Sequence, residues 1–239
     1  MPLVFVRYSR KNNSLEPSFL RRVAHLGFGF AQPVPSRAAC AGSASQRVRG
    51  GQESLGVREP NSKTKEFDMT EKLPAGSETP KISVPRVGGG QLSIGGGNRW
   101  QMLVVYRGKH CPICRSYLKT LDGLLDQFEE TGTEVFAASA DTKEKAETEA
   151  SEEGWRFPVG YGLSQDQMRT LGLYISEPRS PQETDRPFPE PGLFVTNPEG
   201  KLQIVDVSNA PFARPELNAV LKGIKLIREK QYPIRGTLG

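Results

Sequence analysis

Cysteine and histidine are both scarce in this chain: three of the one and two of the other among 239 residues. Three cysteines cannot make a disulfide scaffold, which carries an even and larger number. A structural zinc site wants four ligands, as a rule two Cys or His pairs at similar spacing. His25 lies in an N-terminal arm and His110 sits beside Cys111, so the ligand count weighs against zinc. No apolar run approaches the roughly 20 residues of a membrane-spanning helix, so no membrane segment is expected. Excess positive charge is missing from most of the chain as well. Of 32 Lys and Arg, 11 lie in residues 1–68, against 5 of the 27 Asp and Glu; the remaining 21 and 22 nearly cancel. A near-neutral body offers no surface for nucleic acid or anionic membrane.

The basic arm lacks a sustained apolar period of 2 or 3.6. Arg, Ser, Gly and Pro dominate it, and up to Gln52 its sole acid is Glu16. Residues 1–68 are therefore expected to be an extension to a globular domain over 69–239. Two readings fit. One is a disordered segment, including upstream sequence ahead of an ordinary polar start at Met69. The other is an Arg- and Ser-rich organellar transit peptide. Composition favours the first, and with it a cytoplasmic chain. Cys40 falls in this arm and receives no role.

Beyond the arm the pattern becomes regular. Ile82–Val84 and Leu92–Ile94 alternate apolar with polar around glycine runs, which predicts two short strands. Residues 102–107 read as a fully buried strand. Leu118, Leu121, Leu124, Leu125 and Phe128 recur at helical spacing, predicting one helix from Pro112 to Glu130 that ends at Gly132. A second strand is expected over 135–139. A charged helix follows, capped by Asp141 or Thr142 and running through Glu152. Its thin apolar face (Ala146, Ala150) predicts light packing, with its acids in water. Phe157–Val159 reads as an edge piece and Gln165–Leu171 as a short helix. Prolines 178, 181, 187, 189 and 191 make 176–191 a stiff loop without ladder donors. A hairpin over 193–207 and a closing helix around Leu217–Ile227 complete an α/β arrangement: a central mixed sheet flanked by helices on both faces.

The chemistry gathers where strand 102–107 hands over to a helix. Cys111-Pro112-Ile113-Cys114 places one thiol at the helix N-terminus and the other on its first turn. Unpaired N–H groups and the helix dipole favour a thiolate there. Pro112 suits the first turn because it has no N–H to leave unsatisfied. In a β–α context this pair reads as a redox centre. Arg107, Lys109 and Arg115 stand close enough in sequence to lower a thiol pKa.

The stretch Val104–Leu118 resembles the Arg-Gly-x-x-Cys-Pro-x-Cys-Arg-x-x-Leu signature of the peroxiredoxin-like branch of the alkyl hydroperoxide reductase/thiol-specific antioxidant family. The resemblance runs from about residue 75 to 239, and Tyr232–Thr237 is similar to that group's tail. It implies a thioredoxin-like fold, with Cys111 in the peroxidatic or nucleophilic position and Cys114 as the resolving thiol. It also implies supporting roles for four residues. Pro191 resembles the cis-proline beside such sites, Arg186 is a candidate to polarise a peroxide, and Arg107 and His110 are candidates to modulate the thiolate. The chain departs from the family pattern at Gly108 and Val104, where a hydroxyl residue and a proline are usual.

The expectation is thus a thiol-dependent oxidoreductase that reduces peroxides or protein disulfides. It would use Cys111 and Cys114, be recycled by a thioredoxin- or glutathione-type reductant, and need no metal, flavin or nucleotide. Neither nucleic acid nor membrane is expected as a partner, and the sequence assigns no oligomeric state. The alternative is a non-catalytic thioredoxin-fold binding module that docks partners through 176–191.

Overall fold

The computed structural model describes residues 72–238. The extension expected over 1–68, with His25, Cys40 and the start at Met69, lies outside the described residues.

β1 (Ile82–Pro85) and β2 (Gln91–Ile94) form an antiparallel hairpin. Gly88, Gly89 and Gly90 turn it with φ of 81°, 100° and 80°, a region that side chains disfavour. β3 (Trp100–Val105) is buried on both faces along nearly its whole length, as its unbroken apolar run predicts. α1 (Pro112–Gly123) and α2 (Leu125–Glu130) occupy the span where spacing alone predicts one helix. The break falls at Leu124, whose N–H turns to the Leu121 carbonyl, one residue short of helical registry. Gly123 weakens the helix just before it, by about 1 kcal/mol relative to Ala. The apolar stripe runs through the break, so periodicity does not register it.

β4 (Thr133–Ala138), α3 (Lys143–Glu153), β5 (Val159–Gly160) and α4 (Gln165–Thr170) follow. Thr142 caps α3, its hydroxyl accepting the Lys145 N–H. Ala146 is buried as expected, but so is Glu149, which corrects the reading of this helix's acids as solvated. Glu149 stands three residues beyond Ala146 and therefore shares its face.

β6 (Ile175–Ser176) and β7 (Phe188–Pro189) pair antiparallel, so the proline-rich span is a loop closed by a two-stranded clasp. Pro189 can stand in a strand because the donor to the Tyr174 carbonyl is the next residue's N–H, that of Glu190. β8 (Gly192–Thr196), β9 (Leu202–Val207) and α5 (Leu217–Lys230) end the domain.

The main sheet has the order β5-β4-β3-β8-β9. β3, β4 and β5 are parallel, while β8 and β9 run antiparallel to their neighbours. Alternation along β3 sends Met102 and Val104 to one face and Leu103 and Val105 to the other. The first face is covered by α1, α2, α3 and α5, and both Cys111 and Cys114 lie in its core with Leu118, Phe128 and Ile224. The second is covered by α4 and the β1–β2 hairpin, through Met168, Val84 and Ile94. Among the described residues no helix is long and apolar enough to cross a membrane.

Candidate active site

Residues 106–111 carry the chain from β3 to α1. Tyr106 continues the sheet, its N–H donating to the Ala138 carbonyl. Gly108 then adopts φ +122°. A Cβ built there would lie 2.6 Å and 2.7 Å from the two carboxylate oxygens of Asp141, so a side chain has no room. That carboxylate instead accepts the Lys109 N–H at 2.7 Å and ties the turn to the end of β4. Cys111 is the N-cap of α1, and its sulfur accepts the Cys114 N–H at 3.2 Å. The two cysteines form a disulfide with Cα atoms 5.3 Å apart.

The pair is not open to solvent in the way the sequence suggests. Cys111 is 2% exposed and Cys114 fully buried. Access to Cys111 is through a cavity of about 430 Å³ bounded by Arg107, His110, Ile113, Arg179, Glu183 and Pro211, among others. The clasped loop thus builds one wall of the site, and the turn from β3, the start of α1 and the segment after β9 build the rest.

The expected support residues divide. Arg107 is mostly buried, 3.5 Å from Glu183 and 3.4 Å from Glu190, with its guanidinium 4.6 Å above the Phe188 ring. His110 meets the same ring edge-on at 4.7 Å, and neither of its nitrogens has a protein partner. Burial, helped by the Arg107 charge, pulls His110 down to about 4, so the imidazole is neutral near pH 7. Lys109 and Arg115 turn away toward α3, pairing with Glu152 at 2.9 Å and Glu153 at 3.3 Å. Arg186 does not line the cavity: it is half-buried and paired with its neighbour Asp185 at 3.1 Å. Pro191 is buried at the start of β8 and follows a trans peptide bond, since none of the described bonds is cis. Its carbonyl accepts the Ser208 N–H.

Two features escape sequence reasoning. Arg214, between β9 and α5, donates from Nη2 to the Cys114 sulfur at 2.8 Å and lies 4.8 Å over the Tyr117 ring. It stands a hundred residues from Cys114, and nothing local marks it. Beneath the turn lies a buried polar cluster in which the Tyr106 hydroxyl donates to Glu149 at 3.2 Å. Burial, then the neighbouring Asp141 charge, pushes Glu149 up to about 7. Burial likewise raises Asp141, against the Lys109 N–H that lowers it. The helical position of Glu149 opposite β3 was the available signal.

A mixed five-stranded sheet with a Cys-x-x-Cys pair at the N-terminus of its first long helix is a thioredoxin-like fold. The sequence profile described as the AhpC/TSA family matches residues 75–205, more than half of the chain. The chain belongs to that family. No curated protein matches it in sequence. Among solved structures it resembles a mutant of peroxiredoxin 6 from Arenicola marina, with TM-score 0.56 and 20% identity over 66% of this chain and 75% of that one. The reduced 2-Cys peroxiredoxin of Plasmodium vivax gives 0.56 and 17% over 66% and 84%. AhpC of Mycobacterium tuberculosis gives 0.56 and 12% over 68% and 97%. At such identities the likeness is one of fold.

Proposed function

We propose that this chain is a thiol-dependent oxidoreductase that cycles Cys111 and Cys114 between dithiol and disulfide, with Cys111 attacking the substrate. The observation that carries the reading is the pair itself, held within bonding distance on the first turn of α1, with only Cys111 facing a cavity. The Cys111 thiolate attacks one sulfur of a substrate disulfide, the other sulfur leaves as a thiolate, and a mixed disulfide forms. Cys114 then attacks Cys111, releasing the second substrate thiolate and closing the internal disulfide. Two equivalents of a thioredoxin- or glutathione-type thiol restore the dithiol and are themselves oxidised to a disulfide.

A peroxide is the second substrate class, favoured by membership of the AhpC/TSA family. In that case the thiolate displaces an alcohol or water from the O–O bond and becomes a sulfenic acid. Cys114 condenses with it, releasing water. The Gly108–Asp141 contact favours the disulfide, because an acid fills the space where the family's hydroxyl residue would stand.

Reduced Cys114→Ser protein, mixed with one equivalent of either oxidant and read by mass spectrometry, tests this. A mixed disulfide on Cys111 with the small disulfide is expected, and fast sulfenic acid formation would shift the assignment to peroxide. If neither reagent modifies Cys111 faster than free cysteine, the redox reading fails and the binding-module alternative takes its place.

A further inference from the structure

The cavity over Cys111 has the size of a small-molecule pocket, about 430 Å³, and Cys111 itself is only 2% exposed. A mixed disulfide brings the two cysteine Cα atoms to about 5.5–6 Å, so the main chain that carries a partner cysteine has to enter the cavity. A short peptide thiol can do this. A folded protein would have to bring its neighbouring chain past the clasped loop on one side and Pro211 on the other. The charges that line the cavity are one-sided in what they leave free. Its acid is Glu183, whose carboxylate is taken up within the loop and by Arg107. Oε1 accepts from Arg179 Nε at 3.1 Å and Arg107 Nη2 at 3.5 Å, with Arg179 Nη2 at 2.9 Å. Oε2 accepts the Arg179 backbone N–H at 2.7 Å and Nε at 3.1 Å. An ionised carboxylate has about four lone-pair sites, so Glu183 has little left to accept from a ligand. Glu190, the other anion on Arg107, does not line the cavity, and His110 is neutral near pH 7. Arg179 is different. Its side chain is 85% exposed at the mouth, and among the described residues Nη1 donates to nothing. The bonds to Glu183 and the flanking prolines 178 and 181 hold this guanidinium in place, with the edge formed by Nη1 and the second Nη2 hydrogen free.

We infer that the cavity selects low-molecular-weight disulfides and thiols that bear carboxylates, and that Arg179 is the residue that recognises the carboxylate. The inference rests on the redox cycle proposed above and assigns its substrate class. Arginine suits the role because its planar fork meets a carboxylate with two parallel N–H bonds, a geometry that lysine lacks. The Cys111 thiolate bonds to one sulfur of such a disulfide, the S–S bond breaks, and the other half leaves as a thiolate. Arg179 holds the half that stays. Cys114 then loses its proton to solvent, bonds to Cys111 and expels that half as a second thiolate. Two electrons pass from the cysteine pair to the substrate, and the small thiolates take up protons from solvent. Run in reverse, the same pocket admits a small carboxylate-bearing thiol as the reductant.

The test uses the reduced full-length protein and three small disulfides of different charge: glutathione disulfide (anionic), bis(2-hydroxyethyl) disulfide (neutral) and cystamine (cationic). Each rate of oxidation of the cysteine pair is divided by the rate of the same disulfide with dithiothreitol, which removes differences in leaving-group pKa. The native chain should favour glutathione disulfide over cystamine at least tenfold, with the neutral probe between them. The preference should shrink between about 0.01 M and 1 M salt, as the Debye length falls from about 30 Å to 3 Å. Arg179→Gln should bring the ratio of anionic to cationic rates close to one, and Arg179→Lys should keep most of it, because it keeps the charge. A merely loosened loop changes both rates alike and does not move the ratio. Arg186→Ala, which removes a cation of the same loop away from the cavity, should keep the native ratio. Insulin, offered as a protein disulfide, should react at least tenfold more slowly than glutathione disulfide after the same correction. A native ratio near one, a ratio untouched by Arg179→Gln, or insulin as fast as the tripeptide overturns the inference and leaves the redox cycle standing. Failure of every disulfide to oxidise the pair overturns both.

Discussion

Gly108 presents its bare Cα to the carboxylate of Asp141, closely enough that a Cβ would approach to 2.6 Å. The contact leaves no room for a side chain at position 108, three residues before Cys111. Gly108→Thr should destabilise the fold by at least about 2 kcal/mol, because it forces a branched residue to φ +122° and breaks the Asp141–Lys109 bond. It should not raise the rate of peroxide consumption. Urea midpoints and stopped-flow peroxide assays measure the two effects. A variant as stable as the native chain and faster with peroxide would show that the turn accommodates a family-type site.

Glu149 and His110 pull the pH dependence of stability in opposite directions. The folded-state value of Glu149 is raised to about 7, so the native state binds more protons than the unfolded chain between about 4.5 and 7. Its stabilisation is fully present below that window and lost as pH rises through it. By 1.36 kcal/mol per unit the loss is roughly 3 kcal/mol. Asp141 adds to it with the same sign. His110 is lowered to about 4, so the unfolded chain binds more protons between about 4 and 6.5, and stability is lost as pH falls through that window. The native chain should accordingly be nearly flat from pH 5 to 6.5. Glu149→Gln should make stability climb with pH and exceed the native value at pH 8. His110→Gln should make it fall. Urea midpoints at pH 5, 6, 7 and 8 decide it, and a Glu149→Gln curve parallel to the native one would show that this carboxyl is not titrating from a buried state.

How much of this was legible beforehand depends on the range of the interactions. The strand, the turn and the capped helix that carry Cys111 and Cys114 are written locally, in an apolar run, a glycine and a proline at the first helical position. Their order alone predicts the mixed sheet. Arg214 was illegible because its partner lies across the fold, and an Arg between prolines looks like surface. Glu149 was half legible: the helical wheel puts it beside Ala146, yet its acidic neighbours argued for solvent. Arg186 was misplaced for the converse reason. Its neighbour Asp185, paired with both Arg186 and Lys145, holds it on the outside of the clasped loop.

The two cysteines should differ sharply in reach once reduced. Cys111 lines the cavity, whereas Cys114 is enclosed by the core and by Arg214. Iodoacetamide should modify Cys111 at least tenfold faster than Cys114 in native protein, with the difference vanishing in denaturant. Peptide mapping after brief labelling reads this directly. Equal labelling of both would mean that α1 opens far enough to expose its first turn.

Arg107, in the turn from β3 to α1, and Arg186, in the clasped loop, separate a structural from a peripheral cation. Arg107 bridges Glu183 and Glu190, whose side chains are each only 7% exposed. Removing it leaves Glu183 to Arg179 and leaves Glu190, one of whose oxygens already has no partner, with the Ser176 hydroxyl alone. Breaking a buried pair from one side costs about 3–5 kcal/mol, since the remaining charge stays desolvated. Arg107→Ala should therefore destabilise on that scale and loosen the wall of the Cys111 cavity. Adding Glu190→Gln should recover part of the loss, a coupling that a double-mutant cycle isolates. Arg186→Ala removes only an exposed pair and should change stability by less than about 0.5 kcal/mol, with the rate of Cys111 thiol exchange unaltered. Thermal melts and exchange rates on the four proteins test the contrast. A slow Arg186→Ala variant would return that residue to the site, and an additive Arg107/Glu190 cycle would remove the bridge from the account of what holds the loop against Cys111.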